Sequence, residues 1–229
     1  MAALSKVGSV VRQVAGKSLI VVLSLGMTLV SCVAVAASES GQHDMHNMHE
    51  MHSMHDHHAA PEQRGVTSRT VDSYSIPDVK LVDMNRTQVS LREVLDDKSP
   101  VILNFIYTSC TAICPVTTAT FQQVQQELGA GRDKVRMVTI SIDPENDTPA
   151  RLKEYASRYS VGPQWKILTG TVENSIAVQR AFGVYSGDKM NHKPVTFLRP
   201  KGADKPWVRL DGFASASDIV NELGKLTSK

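Results

Sequence analysis

Two cysteines, Cys110 and Cys114, are the residues of this 229-residue chain whose type and spacing best suit metal binding or thiol–disulfide exchange. The third of its 3 cysteines, Cys32, lies in an apolar leader, so these two are the only pair that the mature part of the chain offers. A disulfide between them would close a very short loop and would constrain the unfolded chain little. The N-terminus of the helix expected after them favours thiolate over thiol, which indicates metal binding or thiol–disulfide exchange.

His192 is the histidine that we expect to complete a metal site with this pair. It is the only histidine outside an N-terminal tract, and it precedes a strand predicted from Val195. In a thioredoxin-like sheet, the loop before that strand lies beside the helix that carries the cysteines. Two sulfurs and one imidazole suit Cu(I) and can also hold Cu(II), so the predicted cofactor is copper. The alternative is that His192 is an exposed loop residue with no ligand role.

Asp143 follows another predicted buried strand at the same sheet edge. It could orient a metal ligand or influence the pKa of a thiol, and the alternative is a turn residue before Pro144. Asp147 is more simply interpreted as a helix cap, because a helix-starting proline follows it at position 149.

A second set of candidate ligands lies in residues 41–58, the histidine–methionine tract, which reads GQHDMHNMHEMHSMHDHH. Its period of three residues matches neither a helix nor a strand, so we interpret it as a disordered linker. Imidazole and thioether together could hold copper in either oxidation state, whereas the alternative is a low-complexity spacer or an expression tag. The candidate ligands are His43, Met45, His46, Met48, His49, Met51, His52, Met54, His55, His57 and His58.

The first 37 residues have the layout of an export signal. Three basic residues precede an apolar run over 18–37, and Ala34-Val35-Ala36 offers an A-x-A cleavage site. Cleavage before Cys32 would instead leave a lipidated cysteine, and the uncut run is long enough to span a bilayer. All three possibilities export the chain, either to the periplasmic face of a bacterial inner membrane or as a soluble periplasmic protein.

Apolar patterns divide the rest of the chain into strands and helices of an α/β domain. We expect residues 1–37 to be the signal peptide or membrane anchor, 38–70 a disordered His/Met-rich linker and 71–229 one thioredoxin-like domain with an extra N-terminal β-hairpin. Within it, strands are predicted over 79–84, 87–91, 101–107, 135–142, 165–168, 195–198 and 207–210. Helices are predicted over 91–95, 115–128, 149–159, 171–182 and 215–226.

Several stretches together resemble the Sco/SenC family of copper-binding assembly factors for cytochrome c oxidase. They are NFIYTSCTAICP around the two cysteines, SIDPENDTP at 141–149, LTGT at 168–171, FGVY at 182–185 and His192 before a strand. The resemblance runs from about Ile76 to the C-terminus and implies a Cu(I)/Cu(II) site at Cys110, Cys114 and His192. The family usually has aspartate before this histidine, whereas this chain has Asn191, which cannot act as an anionic partner.

These observations favour a copper metallochaperone that delivers copper to the binuclear centre in the copper-bearing subunit of cytochrome c oxidase, or to another copper protein. One alternative is a thiol–disulfide reductase with Cys110 and Cys114 as its catalytic redox pair, served by a thiol reductant. Another is a periplasmic copper buffer or resistance protein that works through the tract. The net charge of +2 is too small to favour nucleic acid or anionic lipid as the main partner.

Overall fold

The computed structural model describes residues 65–96 and 98–228. The export signal, Cys32 and the histidine–methionine tract lie outside the described residues, so those interpretations stay predictions. Among the residues it describes, no helix combines the length and the apolar character needed to cross a membrane.

After the first strand, the strands and helices of the described chain follow the order that the sequence predicts. The strands are β1 Val66–Asp72, β2 Lys80–Asp83, β3 Gln88–Ser90, β4 Val101–Ile106, β5 Arg136–Ser141, β6 Trp165–Thr169, β7 Val195–Arg199 and β8 Trp207–Gly212. The α-helices are α1 Leu91–Val94, α2 Ile113–Glu127, α3 Pro149–Arg158, α4 Val172–Ala181 and α5 Ala216–Thr227. Short 3₁₀ helices span Gly129–Lys134 and Lys189–Asn191.

The eight strands form one mixed sheet in the order β1-β8-β7-β4-β5-β6-β2-β3. β4, β5 and β6 run parallel, whereas β7 is antiparallel to β4. The carboxyl ends of β4 and β5 therefore meet the amino end of β7 at one edge of the sheet. Every residue of β4 is buried, which confirms the predicted central strand. The predicted α/β, thioredoxin-like fold is confirmed, and its extra hairpin, β2–β3, pairs with β6.

Helices cover both faces of the sheet, as the near-continuous apolar runs of its central strands require. On one face α2, α3 and α5 contribute buried side chains to a core that includes Ile102. On the other face α1 and α4 pack over a second core that includes Leu103. Because successive strand residues point to opposite faces, these two neighbours in β4 belong to different cores. The double covering fixes β4, and with it the start of the loop that carries Cys110.

Helix α2 begins earlier than the sequence indicates. We expected Pro115 to start the helix, and this was wrong: Ala112 is the N-cap and Cys114 lies in the first turn. Proline is tolerated at the third helical position because the first N–H groups of a helix have no intrahelical acceptor.

Strand β1 occupies Val66–Asp72, where the sequence predicts the end of a linker. It pairs antiparallel with β8 along the edge of the sheet. Arg69 donates a hydrogen bond of 2.6 Å to Glu222 in α5, which adds a side-chain contact to the backbone ladder. The described residues of β1 are mostly exposed, so the strand lacks the apolar alternation that would predict it.

Capping residues start three of the helices where the sequence indicates. The hydroxyl of Thr171 caps α4, and Ser215 caps α5 in a reciprocal capping box. Pro149 begins α3 as expected, but the capping side chain is that of Thr148. The interpretation of Asp147 as the cap was therefore wrong, and its carboxylate has a different set of partners.

Candidate metal centre

Two short segments face the sheet edge at which β4 and β5 end and β7 begins. The first, residues 108–114, connects β4 to α2 and is called here the cysteine turn. The second, residues 188–192, contains the 3₁₀ helix before β7 and is called here the histidine turn. The fold thus brings Cys110, Cys114 and His192 to one edge, as the sequence predicts.

Both cysteines are free thiols, and they differ in exposure. Cys110 is half-buried in the loop, and its Sγ accepts a hydrogen bond of 3.4 Å from the backbone N–H of Cys114. Cys114 is 0% exposed, and its Sγ accepts a hydrogen bond of 3.4 Å from the backbone N–H of Tyr107. One sulfur is therefore accessible to a reagent and the other is enclosed by the protein.

The two thiols also differ in acidity. Burial opposes ionisation of Cys110, but hydrogen bonds from the backbone of Cys114, Ala112 and Ile113 outweigh it, so the pKa of this thiol is lowered. Burial raises the pKa of the Cys114 thiol strongly, and only the backbone of Tyr107 works against it. Of the two thiols, Cys110 is therefore the one that ionises at the lower pH.

His192 is only 6% exposed, so it is not the exposed loop residue that the alternative interpretation required. Burial lowers the pKa of its imidazole, although a hydrogen bond to the backbone of Phe105 acts in the opposite direction. Its Nε2 is buried and has no hydrogen-bond partner among the described residues. A neutral imidazole with one nitrogen held by the backbone and the other free is the arrangement of a metal-ligating histidine.

Tyr107 links the two segments. Its ring lies edge-on to the ring of His192 with the centroids 6.4 Å apart. Its hydroxyl donates a hydrogen bond of 3.5 Å to the Sδ of Met190. Burial, followed by a hydrogen bond with Cys110, raises the pKa of this phenol to about 12. Tyr107 is thus a neutral side chain in contact with both the cysteine and the histidine turns.

Two carboxylates of the β5–α3 loop hold these segments. Asp147 is 0% exposed and accepts hydrogen bonds from the backbone N–H and the hydroxyl of Thr108, and from the hydroxyl of Ser141. Asp143, 5% exposed, forms an ion pair of 2.6 Å with Lys189. Asp143 is therefore linked to the histidine turn through Lys189, and its role toward a metal ligand stays a prediction.

The donors share one edge, but they do not form a closed ligand shell. Within residues 65–96 and 98–228, no three histidine, cysteine, aspartate or glutamate side chains are close enough together to hold a metal ion. The donor set of two sulfurs and one unpartnered imidazole nitrogen nevertheless fits copper. Binding would require a side chain, or the turn that carries it, to move.

Sequence reasoning missed Tyr107, Lys189 and Met190. Tyr107 lies within the quoted cysteine stretch, and Met190 lies two residues before His192. Proximity along the chain was the available signal for these two. Lys189 had no such signal, because only the tertiary structure brings it to Asp143.

Comparison with known proteins gives a consistent result. The SCO1/SenC family profile matches residues 70–223. The chain is 40% identical over 76 residues to a SCO1 protein homolog of Bacillus subtilis, an alignment that covers 33% of this chain and 39% of that protein. It is 33% identical over 87 residues to the mitochondrial protein SCO1 homolog of Homo sapiens, covering 37% of this chain and 28% of that protein. The matches span between 28% and 62% of the length of the curated relatives.

Solved structures show the same relationship over most of the described chain. ScoI of Bradyrhizobium japonicum, solved with copper bound, is 26% identical with a TM-score of 0.55, covering 66% of this chain and 99% of that one. BsSco, described as a member of the Sco family of cytochrome c oxidase assembly proteins with a disulfide switch, is 25% identical with a TM-score of 0.57. That match covers 68% of this chain and 95% of BsSco.

Proposed function

The chain belongs to the SCO1/SenC family, and on that premise we propose that it is a copper chaperone that binds Cu(I) or Cu(II) through Cys110, Cys114 and His192. One observation carries the proposal: the Nε2 of buried His192 lacks a partner among the described residues, at the sheet edge that also holds both thiols. An unpaired buried polar atom costs roughly 1–3 kcal/mol, which a metal ligand role would offset.

The protein prepares its donors to different degrees. Cys110 has the lowered pKa and is the first sulfur able to meet an incoming ion. The pKa of Cys114 is raised, so this thiol gives up its proton only as the metal binds. Burial lowers the pKa of His192, so the imidazole is neutral and able to coordinate at neutral pH. Copper, when bound, is the cargo, and the acceptor's ligands displace these donors one at a time.

The acceptor that we propose is the binuclear copper centre in the copper-bearing subunit of cytochrome c oxidase, with another copper protein as the alternative. Support comes from family membership and from BsSco, a member of a family of oxidase assembly proteins. The histidine–methionine tract would collect copper and pass it to the folded domain.

We further propose that residues 1–37 export the chain and that the folded domain faces the periplasm. Cys32 would carry a lipid if the leader is cut before it; otherwise the leader is an uncut anchor or is removed. The histidine–methionine linker would end before Gly65, because β1 begins at Val66.

Copper titration of a form lacking residues 41–58 tests the ligand set. We expect one Cu(I) bound per chain, and a loss of affinity of at least about a hundredfold in His192→Ala and in the double variant Cys110→Ser/Cys114→Ser. Asn191→Ala, an exposed neighbour, is the matched control and should bind like the parent. Unchanged one-to-one binding in His192→Ala would exclude the three-ligand site.

A thiol–disulfide reductase is the second candidate, and the inequality of the two thiols favours it. An accessible thiol of lowered pKa beside a buried one is the arrangement of an attacking and a resolving cysteine. Cys110 would attack a disulfide of the acceptor, and Cys114 would then release the product by closing the Cys110–Cys114 disulfide. Two results together would establish this function instead. The form lacking residues 41–58 would bind no copper, and the His192→Ala variant would still reduce an oxidised peptide.

A further inference from the structure

We propose that Met190 is a further copper ligand, a thioether donor that joins the two thiols and His192 when the ion is Cu(I). The inference rests on the proposed copper-binding function and adds a donor to that site. It starts from an unusual placement: Met190 is 72% exposed, the highest value among the large hydrophobic side chains that are exposed in the described chain.

The sulfur of Met190 is directed at the site although most of the side chain is in solvent. Its Sδ accepts a hydrogen bond of 3.5 Å from the hydroxyl of Tyr107. The nearby Cys110 side chain also raises the pKa of the Tyr107 phenol. The thioether and the more acidic thiol are therefore neighbours of one phenol, on the exposed side of the site.

The histidine turn holds Met190 in this position from both sides. The carboxylate of Asp188 accepts a hydrogen bond of 2.9 Å from the backbone N–H of Met190. The preceding residue, Lys189, pairs with buried Asp143 at 2.6 Å. The backbone N–H of His192 donates a hydrogen bond of 3.1 Å to the carbonyl of Lys189. One turn thus presents both the exposed thioether and the buried Nε2 of His192, which has no hydrogen-bond partner among the described residues.

Thioether chemistry determines which ion this donor serves. A thioether is neutral and soft, so it favours Cu(I) over Cu(II) and loses no proton on binding. A copper–sulfur bond forms, the hydrogen bond from Tyr107 to Sδ breaks, and the oxidation state of the metal does not change. An exposed donor of this kind can contact Cu(I) before the buried Cys114 does.

Methyl NMR of the reduced full-length chain, labelled with ¹³C at the methionine methyl groups and titrated with Cu(I) without oxygen, tests the assignment. Met190→Leu identifies the Met190 signal by its loss, and buried Met137 is the internal control. We expect the Met190 methyl to shift as thiolate-to-copper absorption develops, while the Met137 methyl stays in place.

Release of Cu(I) to a chelator gives a second measurement. Met190→Leu should release Cu(I) about tenfold faster than the parent does. This factor is at the lower end of the range seen when a metal site loses a supporting group. The rate of Cu(II) release should not change. A Met190 methyl that does not move once the thiolate absorption is complete would overturn the inference and leave the proposed function standing. Absence of that absorption in the parent chain would remove the proposed function itself.

Discussion

The cysteine turn and the histidine turn are held by two carboxylates of the same loop, and they are held differently. Asp147, itself fully buried, fixes the cysteine turn by accepting hydrogen bonds from the backbone N–H and the hydroxyl of Thr108. Asp143 holds the histidine turn through the long side chain of Lys189, which is 35% exposed. The contact with Asp147 involves the backbone of the cysteine turn. The contact with Asp143 involves only the Lys189 side chain, and water can take its place.

This difference assigns separate roles to the two halves of the site. The cysteine turn continues directly from the buried strand β4 into α2, so its sulfurs keep their places. Besides buried His192, the histidine turn is attached through the ion pair of Lys189 with Asp143, in which the lysine is partly exposed. The two turns therefore differ in how directly the β5–α3 loop holds them, and we expect the histidine turn to open more readily than the cysteine turn.

The largest effect is expected from removing the carboxylate of the cysteine turn. Asp147→Ala leaves the N–H of Thr108 and two hydroxyls without their acceptor, which should reduce the free energy of unfolding by about 3 kcal/mol. Urea unfolding measures this loss. Asp147→Asn keeps the shape and one acceptor oxygen, so it should recover part of the loss, and an alanine variant as stable as the parent would contradict the role given to Asp147.

The next effect concerns the two sulfurs within the cysteine turn. Alkylation of the reduced protein, mapped by mass spectrometry, should modify Cys110 at least about tenfold faster than Cys114 at pH 7, because thiolate population changes about tenfold per unit of pKa. The lowered pKa of Cys110 means that its rate reaches a plateau at a lower pH than that of free cysteine. Cys114, with its pKa raised by burial, stays a thiol across the same range.

Unfolding in urea provides the control for this measurement. Both cysteines then have the environment of a free chain, and their rates should converge. Equal rates in the folded protein would show that the two thiols are not distinguished by their surroundings.

These two halves also differ in how far the sequence predicts them. The position of the cysteine turn was predictable, because a buried β-rich run precedes it and a helix follows it. The predicted start of α2 was two residues late because proline can occupy more than the first position of a helix. The edge position of His192 followed from the strand after it. Its burial, the backbone of Phe105 and the attachment of Lys189 to Asp143 depend on long-range packing that no local pattern records.

Strand β1 shows the same limit at the other end of the sheet. Its stability comes from backbone pairing with β8 and from polar contacts such as Arg69 with Glu222. An exposed edge strand needs no apolar face, so its sequence resembles that of a linker.

A smaller effect is expected from loosening the histidine turn at its side-chain attachment. Lys189→Ala leaves the 5%-exposed carboxylate of Asp143 with Asn146 as its remaining side-chain partner, and should cost about 1 kcal/mol of unfolding free energy. Amide hydrogen exchange should accelerate in residues 189–192 and stay unchanged at Thr108. Lys193→Ala, an exposed neighbour, is the control. Faster exchange in the cysteine turn would show that the two halves are not held independently.

The smallest effect on stability is expected from Asp188→Ala, and it separates local from global consequences. The carboxylate of Asp188 caps the 3₁₀ helix by accepting the N–H of Met190, and both residues are exposed. Loss of an exposed cap costs about 0.5 kcal/mol, near the limit of urea unfolding, so the informative measurement is amide exchange at Met190, which should become several-fold faster. Asp204→Ala, in an exposed loop elsewhere, should change neither quantity. If Asp188→Ala instead cost as much stability as Asp147→Ala, the histidine turn would be as firmly built as the cysteine turn, and the two halves would not differ in how they are held.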